Sequence, residues 1–148
     1  MTASSANAGL PTLDDLADTF DVLDEWVERY KYLIDLGREL TPLTDAERVG
    51  RNKVVGCISQ VWLVGDPADS DGRMWFRADS DAHIVKGLIA VALVLFSGKT
   101  PAEVLATDPA DVYERLGLNE HLSVNRRNGF VSMMQRIKEM AAVRASAS

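Results

Sequence analysis

The chain has 148 residues, with 47% apolar and 26% charged positions and a formal net charge of −6. That length fits one domain and leaves little room for two. An acidic balance of this kind argues against gripping nucleic-acid phosphates. The longest unbroken apolar run, Leu88 to Phe96, is far below the ~20 residues of a membrane-spanning helix, and no basic-then-apolar leader opens the chain, so a cytoplasmic protein is expected.

Residues 1–11 (MTASSANAGLP) are small and polar and read as a disordered tail. Thr12 with Asp15 resembles a capping box that opens a short acidic helix. Asp24 is expected to cap a second helix. Its stripe runs Trp26, Tyr30, Leu33 and Ile34, with Gly37 as the stop. Thr41-Pro42 breaks the chain, and Asp45 to Lys53 is polar and loop-like, with room for one helical turn. Val54 to Val64 is rich in β-branched and aromatic residues and predicts extended structure, with a bend at Gly56.

Gly65 to Gly72 (GDPADSDG) is dense in turn formers, and Arg73 to Ala78 reads as the returning strand. Asp69-Ser70-Asp71-Gly72 lacks the alternating ligands and distal glutamate of an EF-hand and is read as a turn. Asp79-Ser80-Asp81 is expected to cap a helix from about Ala82 to Ser97, apolar nearly all round after Gly87 and therefore central. Thr100-Pro101-Ala102-Glu103 and Asp108-Pro109 mark two more helix starts, and Gly117 closes the second. Ser123 precedes a last helix to about Arg144, with Phe130, Met133, Met134, Ile137, Met140 and Ala141 as its apolar stripe. Helices, a small sheet, then helices is the order of an α+β domain.

Charge is unevenly spread. Residues 1–28 hold seven acids and no Lys or Arg, whereas 123–148 hold five bases against Glu139 alone. Solvated helix faces account for both.

Cys57 is the one cysteine, which excludes an internal disulfide, a CxxC site and a four-cysteine cluster site. His83 and His121 are too few for a histidine-rich metal site. No GxGxxG or GxxxxGK[ST] phosphate cradle occurs. A lone cysteine is most often a small buried hydrophobe. Gly56 before it weakens a strand, however, and implies that the bend presents the next side chain. A Cys57–His83 pair for acyl transfer would need His83 near Cys57 with an orienting third group, and nothing marks an oxyanion site; in the first turn of its helix, His83 is expected at the surface or bonding a cap.

Five ordered stretches resemble the SufE family of sulfur-acceptor proteins. They are RYKYLIDLG (Arg29–Gly37), NKVVGCISQVWL (Asn52–Leu63), ADSDAHIVKG (Ala78–Gly87), FSGKTPAE (Phe96–Glu103) and LGLNEHLSVNRRNG (Leu116–Gly129). The resemblance implies an α+β fold of the SufE/IscU-like kind, with a small antiparallel three-stranded sheet packed against several helices. It implies one domain over residues 12–145, flanked by tails at 1–11 and 146–148.

It also implies a function. Cys57 would be the persulfide acceptor, taking sulfur from a pyridoxal-phosphate-dependent, SufS-like cysteine desulfurase and stimulating that enzyme. The sulfur would pass to an iron–sulfur scaffold complex of the SufBCD type. Such a protein is an accessory carrier with no cofactor or metal of its own and no nucleic-acid or membrane partner. Gly56, Ser59 and Gln60 would set the cysteine loop. Asp79 and Asp81 would brace it or cap the following helix, and Arg126 would contact the loop or the desulfurase. Lys86 also matches.

Two positions depart from the family pattern. Ile58 stands where glutamine is usual, and Val124-Asn125 replaces a proline-containing entry to the last helix. The rival readings are a stand-alone thiol enzyme of the peroxidase type and a non-catalytic desulfurase-binding module. A cluster scaffold would need more cysteines than one.

Overall fold

Thr12 accepts a hydrogen bond from the Asp15 amide at 3.1 Å and so satisfies one of the orphan donors that open α1 (Leu13–Val22). The structure is a computed structural model and describes residues 9–56, 59–67 and 69–147. The tail expected at 1–11 lies largely outside the described residues, as do Cys57 and Ile58. Leu16, Ala17 and Phe20 form the buried face of α1.

α2 (Trp26–Arg38) begins one residue later than the sequence suggests. Asp24 is not its cap; Glu25 is, with no side-chain capping bond. Gly37 does not stop the helix either. It lies inside the last turn, where α2 crosses α3 (His83–Phe96). A Cβ on Gly37 would lie 2.8 Å from the Gly87 nitrogen, and one on Gly87 would lie 2.4 Å from the Leu33 carbonyl oxygen. Both glycines serve backbone approach between helices, which a sequence pattern cannot tell from a helix end.

Among the described residues the sheet has two strands, not the three expected. β1 (Val61–Asp66) and β2 (Trp75–Ser80) pair antiparallel, with Val61 opposite Ser80 and Asp66 opposite Trp75. The first half of the predicted extended stretch contributes one isolated bridge, Lys53 to Trp62. Gly56 explains why pairing stops. Its φ of +99° turns the chain out of extended geometry two residues after Val54. The ends of the intervening loop are tied by Val54 N donating to Val61 O at 2.8 Å.

Asp79 and Ser80 belong to β2 instead of capping α3. The cap residue is Ala82, and its amide donates to Ser80 Oγ at 3.2 Å. α3 is buried along Gly87 to Leu93 and again at Leu95 and Phe96, as its unbroken apolar run predicts. Phe76 and Ala78 of β2 and Val61 and Leu63 of β1 join the same core.

Thr100 and Glu103 form a full capping box at α4 (Pro101–Ala106). α5 (Pro109–Leu116) ends at Gly117, whose φ of +66° is left-handed. α6 (Leu118–His121) leads into α7 (Val124–Ala147), where the Arg126 amide donates to Ser123 Oγ. α7 buries Phe130, Met133, Met134, Ile137 and Ala141 against the core and half-buries Met140.

Candidate functional site

Three residues of alternating register organise the approach to the cysteine loop. Arg77, Asp79 and Asp81 lie two apart, so they share one side of β2 and its continuation. Arg77 is mostly buried and reaches two carboxylates. It donates to Glu47 Oε1 and Oε2 at 2.9 and 2.6 Å and to both Asp66 oxygens at 2.8 to 3.1 Å. Asp79 is 6% exposed and receives Arg48 at 3.2 Å and Lys86 at 3.4 Å. Asp81 Oδ1 accepts the Gln60 amide at 3.1 Å.

The segment 44–49, which leads into the cysteine loop, is thus clamped to the sheet through Glu47 and Arg48. The exit from the loop is held at Gln60. Lys86, from the first turn of α3, completes the charge balance around Asp79.

The electrostatics follow from these contacts. The Arg77 guanidinium and the Thr44 amide hold the Glu47 carboxyl down at about 2, against a smaller opposing effect of burial. Burial works against ionising Asp79, but the Ser80 amide, Lys86 and Arg48 outweigh it and keep the carboxyl below its ordinary value. A depressed carboxylate stabilises the fold above its unfolded pKa and loses that contribution as pH falls through the folded one. The Glu47 contribution is therefore full above about pH 4.5 and lost towards pH 2. Glu47→Gln should be less stable than wild type at neutral pH, with the gap closing between those values; a gap constant from pH 7 to pH 2 in thermal unfolding would contradict this.

A cavity of about 360 Å³ opens between the start of β1, α3 and the first turns of α7. Val61, Val85, Leu88, Phe130 and Met133 give it apolar walls, and Ser59 and Arg126 stand at its edge. Arg126 is exposed. A smaller cavity of about 150 Å³ lies further along α7, lined by Val54, Val55, Ser132, Gln135, Arg136 and Glu139. The residues on the two sides of Cys57 therefore face different cavities: 54 and 55 the polar one, 59 and 61 the apolar one. Gly56 lies against Ser132 of the polar cavity. A Cβ at Gly56 would meet Ser132 Oγ at 2.5 Å.

Of the residues singled out from sequence, Gly56, Ser59, Gln60, Asp81 and Arg126 gather at this loop and its cavities. Asp79 sits one step behind, in the ion pairs. Cys57 itself lies outside the described residues. The two histidines do not join the site. His83 is exposed at the start of α3, and His121 stacks on Trp26 with ring centroids 3.9 Å apart. Among the described residues no group of three or more His, Cys, Asp or Glu is placed to hold a metal ion. Sequence reasoning missed Arg77, Glu47, Arg48 and Ser132. The period-two spacing of Arg77 with Asp79 and Asp81 was a usable signal for the first; nothing local marks the others.

The model of the SufE family, described as an Fe-S metabolism associated domain, matches residues 14–141. The chain belongs to the SufE family. An uncharacterized SufE-like protein of Rhizobium etli is 47% identical over 142 residues, covering 93% of this chain and 95% of that relative. A second, from Rhizobium meliloti, is 46% identical and is covered over its whole length. The solution structure of a hypothetical protein from Thermus thermophilus superposes with a TM-score of 0.73 at 19% identity, over 93% of this chain and 98% of that one. That likeness establishes a shared fold. For a SufE-family member, the coarse role is in iron–sulfur metabolism. No helix among the described residues is long and apolar enough to cross a membrane.

Proposed function

We propose that this SufE-family chain carries sulfur on Cys57, receiving it from a pyridoxal-phosphate-dependent cysteine desulfurase of the SufS type and stimulating that enzyme. One observation carries the reading. The single cysteine sits in a loop whose two ends are tied together and whose exit, Ser59, borders an apolar cavity edged by Arg126.

The step is a thiolate exchange. The Cys57 thiolate attacks the terminal sulfur of the partner's cysteine persulfide. The partner's S–S bond breaks, a new S–S bond forms to Cys57, and the partner leaves as a thiolate. The persulfide proton stays on the transferred sulfur or passes to solvent, and no net oxidation occurs. A second cysteine in the chain would convert the product to a disulfide and release the sulfur, so one cysteine suits a carrier. Apolar surroundings would keep water and small thiols from a loaded sulfur, and the cavity that Ser59 and Val61 line offers such surroundings near the loop. The Asp81–Gln60 bond and the Glu47–Arg77 and Arg48–Asp79 clamps restrict where the loop can move. Delivery to a SufBCD-type scaffold in the cytoplasm completes the proposal.

The test is intact mass without reductant, after incubation with a SufS-type desulfurase and free cysteine. Wild type should gain the mass of one or more sulfur atoms, and Cys57→Ser should gain none and fail to stimulate the desulfurase. Absence of an adduct with two active desulfurases would overturn the carrier reading. Peroxide turnover without a desulfurase would favour a stand-alone thiol enzyme, and stimulation retained by Cys57→Ser would favour a binding module.

A further inference from the structure

The apolar cavity has two unlike ends. Its walls include Val61, Val85, Leu88, Ile89, Phe130 and Met133, from β1, α3 and α7. Apart from Ser59, its polar lining is Ser123, Asn125 and Arg126, all at the entry to α7. Arg126, Phe130 and Met133 are spaced four and three apart, so one face of α7 runs from the cation to the thioether. Seven residues of helix rise about 10 Å. Arg126 is the one charged side chain among the described residues that line the cavity, and no carboxylate of the described residues forms an ion pair with it. The first turn of a 24-residue helix adds the positive end of its dipole. The cavity volume of about 360 Å³ falls at the small end of the roughly 300–1,000 Å³ of ligand pockets, which combine apolar walls with a few placed polar groups.

We infer that this cavity is a binding site for a medium-chain carboxylate, held with its carboxylate at Arg126 and its aliphatic tail among the apolar walls. The rim selects an anion, because a carboxylate there meets a guanidinium fork that no acid of the chain already occupies. The walls select an aliphatic tail. Valine, leucine, isoleucine and methionine side chains give a polar body nothing to bond to, and burying one there would leave its groups unpaired. A tail of roughly eight carbons spans the ~10 Å that α7 rises between Arg126 and Met133. The inference stands apart from the sulfur-carrier reading, because it rests on the walls and rim of this cavity alone.

The experiment titrates the full chain, labelled at its valine, leucine and isoleucine methyl groups, with sodium octanoate and in parallel with 1-octanol, followed by NMR. Octanoate should saturate with a Kd of about 1 mM or below. It should shift the methyls of Val61, Val85, Leu88 and Ile89 and leave those of the exposed Val22, Val27 and Val143 in place. Octanol has the same tail without the charge and should bind about fivefold more weakly or worse. Arg126→Gln should bring octanoate down to the affinity of octanol. Val85→Trp, which fills part of the cavity from a half-buried position, should weaken both ligands about tenfold or more. If Val85→Trp does not fold, the comparison of the two ligands on wild type still decides. No saturable shift, shifts spread over the exposed valines, or equal affinity for octanoate and octanol would each overturn the inference. Sulfur loading is read separately by intact mass, so failure of either reading leaves the other standing.

Discussion

Gly87→Ala is expected to lower stability by about 2–3 kcal/mol, or roughly 5–10 °C in melting temperature for a chain of this size. The new methyl would sit 2.4 Å from the Leu33 carbonyl oxygen and 2.7 Å from its carbon, both backbone atoms of α2. Backbone cannot turn aside, so the two helices must part along their whole crossing. Alanine is the better helix former by about 1 kcal/mol, which offsets part of the loss. The comparison is Gly50→Ala, where nothing lies within 4 Å of the added carbon and φ is not in the left-handed region. That variant should be neutral or slightly more stable. Urea unfolding of both checks the pair, and equal stabilities would refute the close-crossing account. Because Val85, Leu88 and Ile89 of α3 line the apolar cavity, Gly87→Ala should also weaken the proposed stimulation of a desulfurase.

Arg77→Met should cost about 2–3 kcal/mol at neutral pH, since removing one partner from a mostly buried pair leaves uncompensated charge. Glu47 and Asp66 would both lose their cation, with side chains only 24% and 15% exposed. Arg77→Lys should recover little, because an ammonium cannot present the guanidinium fork that meets two carboxylates at once. The effect should reach the site. Without Arg77 the segment 44–49 keeps only Arg48–Asp79 as its ion pair to the sheet, so the entry to the cysteine loop loosens. Urea unfolding reads the first effect and Cys57 alkylation the second. Unchanged values in both would mean that the clamp is ornamental.

Much of the architecture is legible in the residues. The Thr12 cap, the Thr100–Glu103 capping box, the Gly117 stop and the fully apolar α3 follow from local chemistry, because each signal concerns atoms within four positions of one another. The family follows from five ordered stretches around one cysteine. The bend at Gly56 is also local, since a positive φ falls most often to glycine.

What the sequence misassigns is decided over distance. Gly37 looks like a helix stop but is a crossing point, because its reason is Gly87, fifty positions on. Asp79 looks like a helix cap but faces Arg48 and Lys86, and burial with two cations outweighs the local preference. A three-stranded sheet is expected, yet β-branched content cannot tell a paired strand from the run into a turn, and Gly56 ends pairing after one bridge.

By itself, then, the sequence determined the family, the α+β class, the single thiol and the residues close to it in the chain. Only the tertiary structure decided which partners those residues meet: Asp81 for Gln60, Ser132 for Gly56, and Arg77 for Glu47 and Asp66. The physical reason is range. Caps, turns and periodicity act over a few residues, whereas ion pairs and backbone crossings join segments separated by ten to eighty positions, and only folding brings those together.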